Sequence, residues 1–272
     1  MRIVLLSAAA VALSGCSWLG LGGNSSSYGH DVGTYKAASH QNDDCNGCGL
    51  SRWNAEGGIG TEFITGNKFL RASQTHNVAN TQPRSTSMEN AFDEGVRLEL
   101  GGSYALNPNR KVTVLGYNTS HNGNRVSLGQ TAGQVVSGDL SDYDSTGVEV
   151  GLRQYALPIN APLVNSIRPY VEGRIGAAYV DDIGLNNVTR GAATAADIAL
   201  YDSTWVPTGA GLIGVETPVF NRFTMGVETG IRYNGKLDAA DGGLTGGQPF
   251  AGLNNGGDKW SVPLTLRGRY RF

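Results

Sequence analysis

The first residues to consider for chemistry are two cysteines and two histidines in the N-terminal fifth of the chain. Cys45 and Cys48 are separated by two residues, and His30 and His40 precede them. Two thiols at this spacing are typical of a local disulfide in an oxidising compartment, which is the interpretation we favour. Cysteine and histidine are also the residue types that bind zinc, so a metal site formed by these four side chains is the alternative. We expect no metal there. No βαβ pattern surrounds the cysteines, which argues against a thioredoxin-like redox function.

A serine and a histidine suggest a second kind of chemistry. Ser120 and His121 are neighbours, and His76 lies upstream in another polar stretch. Such side chains act as nucleophile and base in acyl transfer when a carboxylate orients the histidine. The sequence fixes no carboxylate beside them, so we predict no enzymatic activity and no cofactor. Three carboxylates that could bind a divalent ion lie in Gly-rich sequence, which is more typical of soluble turns: Asp238, Asp241 and Asp258.

Charged side chains recur at alternate positions of several segments, with apolar residues between them. Acids and bases nearly balance in this set, which we predict to form an ion-pair network in an enclosed interior, because an unpaired buried charge is costly. A selective channel lined by the same charges is the alternative. The network comprises Glu56, Glu62, Arg97, Glu99, Glu149, Arg153, Arg168, Glu172, Arg174, Glu216, Glu228, Arg232, Arg267 and Arg269, with Arg271 beyond them.

The elements that must position these charges are β-strands. Strict alternation of apolar and polar residues indicates an extended strand with two unlike faces. In the third predicted strand Val112 and Val114 alternate with Thr113 and Leu115, so its facing stays open. The predicted strands are Trp53 to Phe63, Val96 to Tyr104, Arg110 to Thr119, Thr146 to Arg153, Ile167 to Tyr179, Trp205 to Glu216, Phe223 to Tyr233 and Trp260 to Phe272.

The connections between these strands alternate between long and short. Four long polar loops and three shorter turns predict an up-and-down barrel with its long loops on one side, and outer-membrane barrels carry long extracellular loops. Aromatic residues ten positions apart on the apolar faces span about 25 Å, the height of a lipid-facing band. The predicted girdles are Trp53, Tyr104, Phe223, Tyr270 and Phe272 on the periplasmic side, and Phe63, Tyr179, Trp205, Tyr233 and Trp260 on the outer side.

Composition excludes several other classes of protein. The 272 residues carry a net charge of −2, so there is no basic surface to bind nucleic acid. Beyond the N-terminus there is no apolar run long enough for a transmembrane helix. The 40 glycines follow no three-residue period, which excludes collagen.

The N-terminus resembles that of an exported bacterial lipoprotein. Residues 1–15 have a positive start and a short apolar run, which is typical of a signal peptide. The sequence Leu-Ser-Gly-Cys that ends at Cys16 resembles the lipobox, which implies that Cys16 carries diacylglycerol and palmitate. Cleavage elsewhere, with loss of Cys16, is the alternative. Ser17 in place of an aspartate favours sorting to the outer membrane, and residues 16–50 form a flexible periplasmic tether.

The barrel itself, residues 51–272, resembles the small eight-stranded outer-membrane barrels of the OmpA, OmpX and opacity-protein type. The resemblance depends on the alternating pattern and on a C-terminal assembly signal. No peptidoglycan-binding domain follows the barrel, so that function of the OmpA type is not carried over. The residues that match the assembly signal are Leu264, Leu266, Gly268, Tyr270 and Phe272.

Together these patterns predict an all-β, eight-stranded antiparallel transmembrane barrel in the outer membrane, with both termini on the periplasmic side. The predicted partners are outer-membrane lipids, the barrel assembly machinery and an unidentified surface partner of the four long loops. The predicted function is structural or adhesive. A lipid-modifying enzyme of the outer membrane and a narrow channel remain the alternatives.

Overall fold

The computed structural model describes residues 52–72, 80–161, 164–241 and 250–272. The predicted signal peptide and tether, Cys16, the Cys45 and Cys48 pair and His76 lie outside these residues. Among the described residues, no helix is long and apolar enough to cross a membrane. The elements in chain order are β1 (Trp53–Gly66), β2 (Lys68–Leu70), β3 (Thr81–Pro83), β4 (Thr86–Ser87), α1 (Met88–Ala91), β5 (Gly95–Asn107), β6 (Arg110–His121), β7 (Arg125–Thr131), β8 (Gln134–Leu140), β9 (Tyr143–Tyr155), β10 (Ile159–Ala161), β11 (Val164–Val180), β12 (Ile183–Arg190), β13 (Ala193–Thr194), β14 (Ile198–Asp202), β15 (Thr204–Phe220), β16 (Phe223–Asn234), β17 (Asp238–Ala239) and β18 (Lys259–Arg271).

Eight of these strands close into a barrel. Strands β1, β5, β6, β9, β11, β15, β16 and β18 pair antiparallel in that order, and β18 pairs with β1 to complete the ring. Closure leaves no free sheet edge, so backbone donors and acceptors are satisfied around the whole circumference. Each of the eight predicted segments is one of these strands. The predicted fold class, an eight-stranded antiparallel barrel of the transmembrane type, is confirmed.

The two faces of the barrel wall are the reverse of those in a water-soluble protein. Apolar side chains point outward, with Ile59 55% exposed and Ile175 74% exposed, whereas Arg153 and Arg174 are enclosed. This inversion is typical of a barrel whose outer surface meets lipid. Strand β6, whose facing the sequence left open, places Leu115 inward and leaves Val114 48% exposed on the outside.

Aromatic side chains form pairs near both rims of the apolar outer surface. Aromatic rings at such rims are typical of the two membrane–water interfaces of a barrel. The ring-centroid distances are 5.0 Å for Tyr233 and Trp260 and 5.7 Å for Tyr179 and Trp205 at one rim, and 4.9 Å for Trp53 and Tyr104 and 5.6 Å for Tyr270 and Phe272 at the other.

The long connections are not the irregular loops that the sequence suggested. All four contribute strands to a second sheet, in the order β17, β14, β12, β8, β7 and β3, with β13 paired to β12. The first connection also supplies α1 and the short pair of β2 and β4. We refer to this second sheet, together with β2, β4 and α1, as the cap. The opposite end of the barrel, where β1 begins and β18 ends, is called the terminal end.

The cap has a hydrophobic core that continues into the upper barrel. Strand residues from β7, β8, β12 and β14 pack against α1 and against side chains that project from the barrel strands. Burial of these apolar side chains is the main force that holds the connections in one unit. The core comprises Phe69, Leu70, Met88, Ala91, Phe92, Tyr117, Val126, Leu128, Val136, Leu140, Tyr143, Ala178, Val180, Ile183, Leu185, Val188, Leu200, Tyr201, Val206, Leu237, Phe250 and Leu253.

Candidate functional site: a charged interior beneath a folded cap

The interior network is centred on the carboxylate of Glu99. Arg97 donates to it from the same strand at 2.7 Å, and Arg232 donates from β16 at 2.9 Å. Arg174 lies 3.3 Å away on β11, and Arg267 of β18 also contacts it. Four guanidinium groups from four strands therefore share one enclosed carboxylate. Such an arrangement is stable only if further carboxylates balance the arginines, since uncompensated buried charge is costly.

Two further glutamates supply this balance near the middle of the barrel. Glu172 accepts from Arg153 and from Arg174, each at 2.8 Å. Glu228 lies 2.9 Å from Arg174 and 3.0 Å from Arg267. The two carboxylates thus link β9, β11, β16 and β18 across the interior. Because each guanidinium has several donors in a fixed plane, one arginine can bridge carboxylates from different strands.

Towards the cap, a smaller group of charges closes the network. Lys259 Nζ lies 2.9 Å from Glu62 Oε1, which also accepts from the Ser261 hydroxyl at 2.7 Å. Arg232 donates to Glu149 at 2.7 Å. Lys259 was missed in the sequence because it lies one position before the predicted start of its strand, although it shares the inward face with Ser261.

The remaining predicted members lie on the interior side nearer the terminal end. Glu56 lies 3.0 Å from Arg153, and Arg269 lies 2.8 Å from Glu216. Arg168 differs from the others, since it donates to the Pro108 carbonyl at 3.0 Å and has no carboxylate partner among the described residues. The structure therefore brings the predicted charges together, with Arg168 outside the ion pairs.

Ser120 and His121 point to opposite sides of the wall because they are neighbours on one strand. His121 is fully enclosed, with Nε2 3.0 Å from Lys259 Nζ and Nδ1 3.0 Å from the Asp93 carbonyl oxygen. Ser120 lies on the outward face of β6. A nucleophile and its base must share a hydrogen bond, so this pair lacks the geometry for acyl transfer.

The aspartates considered as cation ligands are also separated. Asp238 accepts from the Thr204 hydroxyl at 2.7 Å, whereas Asp258 accepts from the Asn67 amide at 2.6 Å. Within the described ranges, no group of three or more His, Cys, Asp or Glu side chains is arranged to hold a metal ion.

An aromatic layer separates the charged interior from the cap. The ring of Tyr143 lies 5.7 Å from that of Phe92 and 5.8 Å from that of His121. Above it, the Phe69 ring packs 5.1 Å from Phe92 and 5.1 Å from Tyr201. The Tyr201 hydroxyl donates to the Phe69 carbonyl, and burial raises the pKa of that hydroxyl above its usual value. An ion leaving the interior towards the cap would therefore meet packed apolar side chains.

Similar solved structures are bacterial outer-membrane barrels. Neisserial surface protein A is 12% identical, with 82% of this chain and 99% of that chain covered and a TM-score of 0.43. OprG from Pseudomonas aeruginosa is 15% identical, with 82% of this chain and 97% of that chain covered and a TM-score of 0.39. Ail, the attachment invasion locus protein of Yersinia pestis, is 14% identical, with 80% of this chain and 98% of that chain covered and a TM-score of 0.35. No family model and no curated protein matches the chain.

Proposed function

We propose that this chain is an outer-membrane surface protein in which a closed barrel anchors a folded platform, and that the platform contacts a partner outside the cell. The observation that carries the proposal is the cap, to which all four long connections contribute strands. A connection that only joins two strands needs few residues. Folding all four around a shared core orders the backbone at a considerable entropic cost, which is typical of a surface built for recognition.

The outer face of the cap is polar and internally hydrogen-bonded. Arg125 donates to Asp139 at 2.9 Å and to the Thr189 hydroxyl at 3.1 Å. Asn187 donates to the other oxygen of Asp139 at 3.2 Å. These contacts join β7, β8 and β12, so the surface that a partner meets is preorganised. A preorganised polar surface favours a partner that binds through hydrogen bonds.

The membrane location rests on the barrel wall and on the N-terminal sequence. The exposed apolar belt between two aromatic rims is suited to lipid, and the predicted signal peptide supports export beyond the inner membrane. In this orientation the cap faces the outside and the terminal end faces the periplasm. Cys16 would then carry its lipid in the periplasmic leaflet, and the C-terminal strand would be recognised by the barrel assembly machinery.

Two observations favour an anchor over the alternative functions. The interior holds interlocked arginines and glutamates, and an aromatic layer closes it below the cap, which opposes a conducting channel. Ser120 and His121 lie on opposite faces of β6 and cannot act together as nucleophile and base. These observations support a barrel that serves to hold the cap at the cell surface.

Site-specific photocrosslinking in intact cells tests this function. A photoreactive residue at Gln134 or Asn186, both exposed on the cap, should give a discrete crosslinked adduct. The same residue at Asn109, exposed at the terminal end, is the matched control and should not give that adduct. Identical adducts from all three positions, or adducts from Asn109 alone, would contradict recognition by the cap.

A further inference from the structure

Three cationic side chains surround one tyrosine ring at the terminal end of the barrel. Lys111 Nζ lies 5.3 Å from the centroid of the Tyr155 ring. The guanidinium carbons of Arg168 and Arg269 lie 4.6 Å and 6.0 Å from the same centroid. The cations come from β6, β11 and β18, so they meet only because the barrel closes. We refer to Lys111, Arg168 and Arg269 as the terminal cation cluster.

The carboxylate beside this cluster, Glu216, is already occupied by one of the three cations. Arg269 Nη1 lies 2.8 Å from Glu216 Oε2 and donates to the Tyr155 hydroxyl at 2.7 Å. The Tyr155 hydroxyl in turn donates to Glu216 Oε2 at 3.2 Å. Lys111 and Arg168 have no carboxylate within ion-pair distance among the described residues. The cluster therefore carries an excess of positive charge.

The two unpaired cations differ from the enclosed arginines of the interior because neither has a carboxylate partner among the described residues. Lys111 is only 8% exposed, and the part of the chain that the structure describes offers its ammonium group no hydrogen-bond acceptor. Arg168 uses one Nη to contact the Pro108 carbonyl, while its Nε is buried without an acceptor. Elsewhere in the barrel, enclosed arginines meet carboxylates. A buried donor that lacks an acceptor is costly, so the Arg168 Nε, beside the Lys111 ammonium group that forms no ion pair, fits a group that supplies negative charge.

The types of unpaired atom indicate which anion fits. An ammonium group and a guanidinium N–H favour an anion with several oxygen acceptors. Arg168 and Glu216 are directly paired residues on β11 and β15, and Glu216 Oε1 is buried without a donor. A protonated oxyanion can accept from the cations and donate to this carboxylate. Hydrogen phosphate has such a proton at neutral pH, whereas sulfate does not.

We propose that Lys111 and Arg168 form a binding site for a phosphate group, open to the periplasm at the terminal end. Arg168 is partly exposed and forms the entrance, and Lys111 lies deeper against Tyr155. Free inorganic phosphate and the phosphomonoester of phosphatidic acid in the inner leaflet present the same chemistry. The site is at the other end of the barrel from the cap and does not depend on recognition by the cap.

Calorimetric titration of the purified full-length chain with inorganic phosphate, at constant ionic strength, tests the site. Phosphate should bind, and sulfate should bind at least tenfold more weakly. Lys111→Met and Arg168→Gln should each weaken phosphate binding at least tenfold. Arg110→Gln is the control, because Arg110 is exposed at the same end and contacts Gln154 at 2.6 Å; its removal should leave binding unchanged.

Each outcome of this experiment decides the proposal. Lys111→Met breaks no ion pair and is therefore expected to fold. Retained heat-modifiable gel mobility will show that the variant barrels are folded. Native mass spectrometry of the wild type then shows whether phosphatidic acid is retained. If it is not retained, the site would be overturned by an absence of phosphate binding. It would also be overturned if Arg110→Gln weakened phosphate binding as much as Lys111→Met does. Retention of phosphatidic acid that is lost in Lys111→Met, with weak binding of free phosphate, would assign the phosphate to a lipid headgroup.

Discussion

Glu172 Oε1 lies 2.8 Å from Arg174 Nε, two positions further along the same strand. Arg97 and Glu99 repeat this relationship on β5 at 2.7 Å. Residues two apart on a strand point to the same side, so each pair enters the interior together. The second oxygen of Glu172 then meets Arg153 of the neighbouring strand. Pairs along strands and contacts between strands thus build the interior network from the same side chains.

The first prediction concerns the stability that Glu172 provides. Glu172→Leu removes the acceptor of both Arg153 and Arg174, and of the Thr113 hydroxyl that donates at 2.6 Å. Removing one partner of a buried ion pair leaves uncompensated charge, so the free energy of unfolding should fall by about 3–5 kcal/mol. Urea unfolding in lipid vesicles, followed by tryptophan fluorescence, measures this change.

A surface ion pair of the cap provides the comparison for Glu172. Asp139→Asn removes the 2.9 Å ion pair with Arg125, whose side chain is 50% exposed. Because exposed ion pairs contribute little, the free energy of unfolding should fall by about 1 kcal/mol or less. Equal effects of Glu172→Leu and Asp139→Asn would show that the interior pairs contribute no more than solvent-exposed ones.

The second prediction concerns lipid attachment. The N-terminal peptide of the protein from membrane fractions should begin at Cys16 and carry diacylglycerol, because the four residues that end at Cys16 match a lipobox. Cys16→Ala should abolish the modification but leave the barrel foldable, since the closed ring of strands begins at Trp53. Cys45→Ser is the control and should retain the lipid. Mass spectrometry that finds an unmodified N-terminus elsewhere would refute this prediction.

The barrel could be predicted from the sequence because its information is local. A period of two assigns each residue to one face, and the charges at alternate positions then identify the interior. Strand β6 was the exception, since Leu115 and Tyr117 are inward-facing apolar residues among outward-facing valines. That uncertainty also hid Lys111, whose burial depends on the facing of the same strand.

The cap could not be predicted because its strands are short and its pairs are distant in sequence. Strand β3, for example, pairs with β7 through Thr81 and Thr131, and β14 pairs with β17 through Asp202 and Asp238. Two to eight residues of polar sequence carry too little alternation to indicate a strand. These strands are stabilised by the hydrophobic core that they share. That core forms only when the barrel has brought the four connections together, so it cannot be recognised in any one segment of the sequence.

The third prediction tests how the cap is held together. Tyr201→Phe keeps the ring against Phe69 but leaves the Phe69 carbonyl without its donor. An unsatisfied buried acceptor costs about 1–3 kcal/mol, so backbone amides of β12 and β14 should exchange with solvent faster. Hydrogen exchange with mass spectrometry measures this change. Tyr233→Phe, at the barrel rim next to the cap, is the control and should leave this exchange unchanged. Faster exchange of the β12 and β14 amides in Tyr233→Phe but not in Tyr201→Phe would contradict the assigned role of Tyr201.

The fourth prediction concerns assembly through the C-terminal residue. Phe272 is 46% exposed and lies 5.6 Å from the ring of Tyr270, at the rim of the terminal end. Deletion of Phe272 removes both the aromatic contact and the end of the assembly signal, so insertion should slow. Phe272→Tyr keeps an aromatic ring and should insert at the normal rate. The appearance of heat-modifiable protein after a pulse of synthesis distinguishes the two variants, and equal rates would argue against this role.

The last prediction is that the barrel conducts no ions. An eight-stranded barrel has an interior that side chains can fill, and here Glu99 alone holds four guanidinium groups that project from four strands. An ion passing through would have to separate these pairs and then cross the layer of Tyr143 and Phe92. Purified protein in planar bilayers should therefore show no steady conductance. Arg97→Gln should lower stability and leave the bilayer silent, because three other arginines still surround Glu99. Reproducible unit currents whose ion selectivity changes with Arg97→Gln or Glu172→Gln would establish a channel and overturn the closed-anchor function.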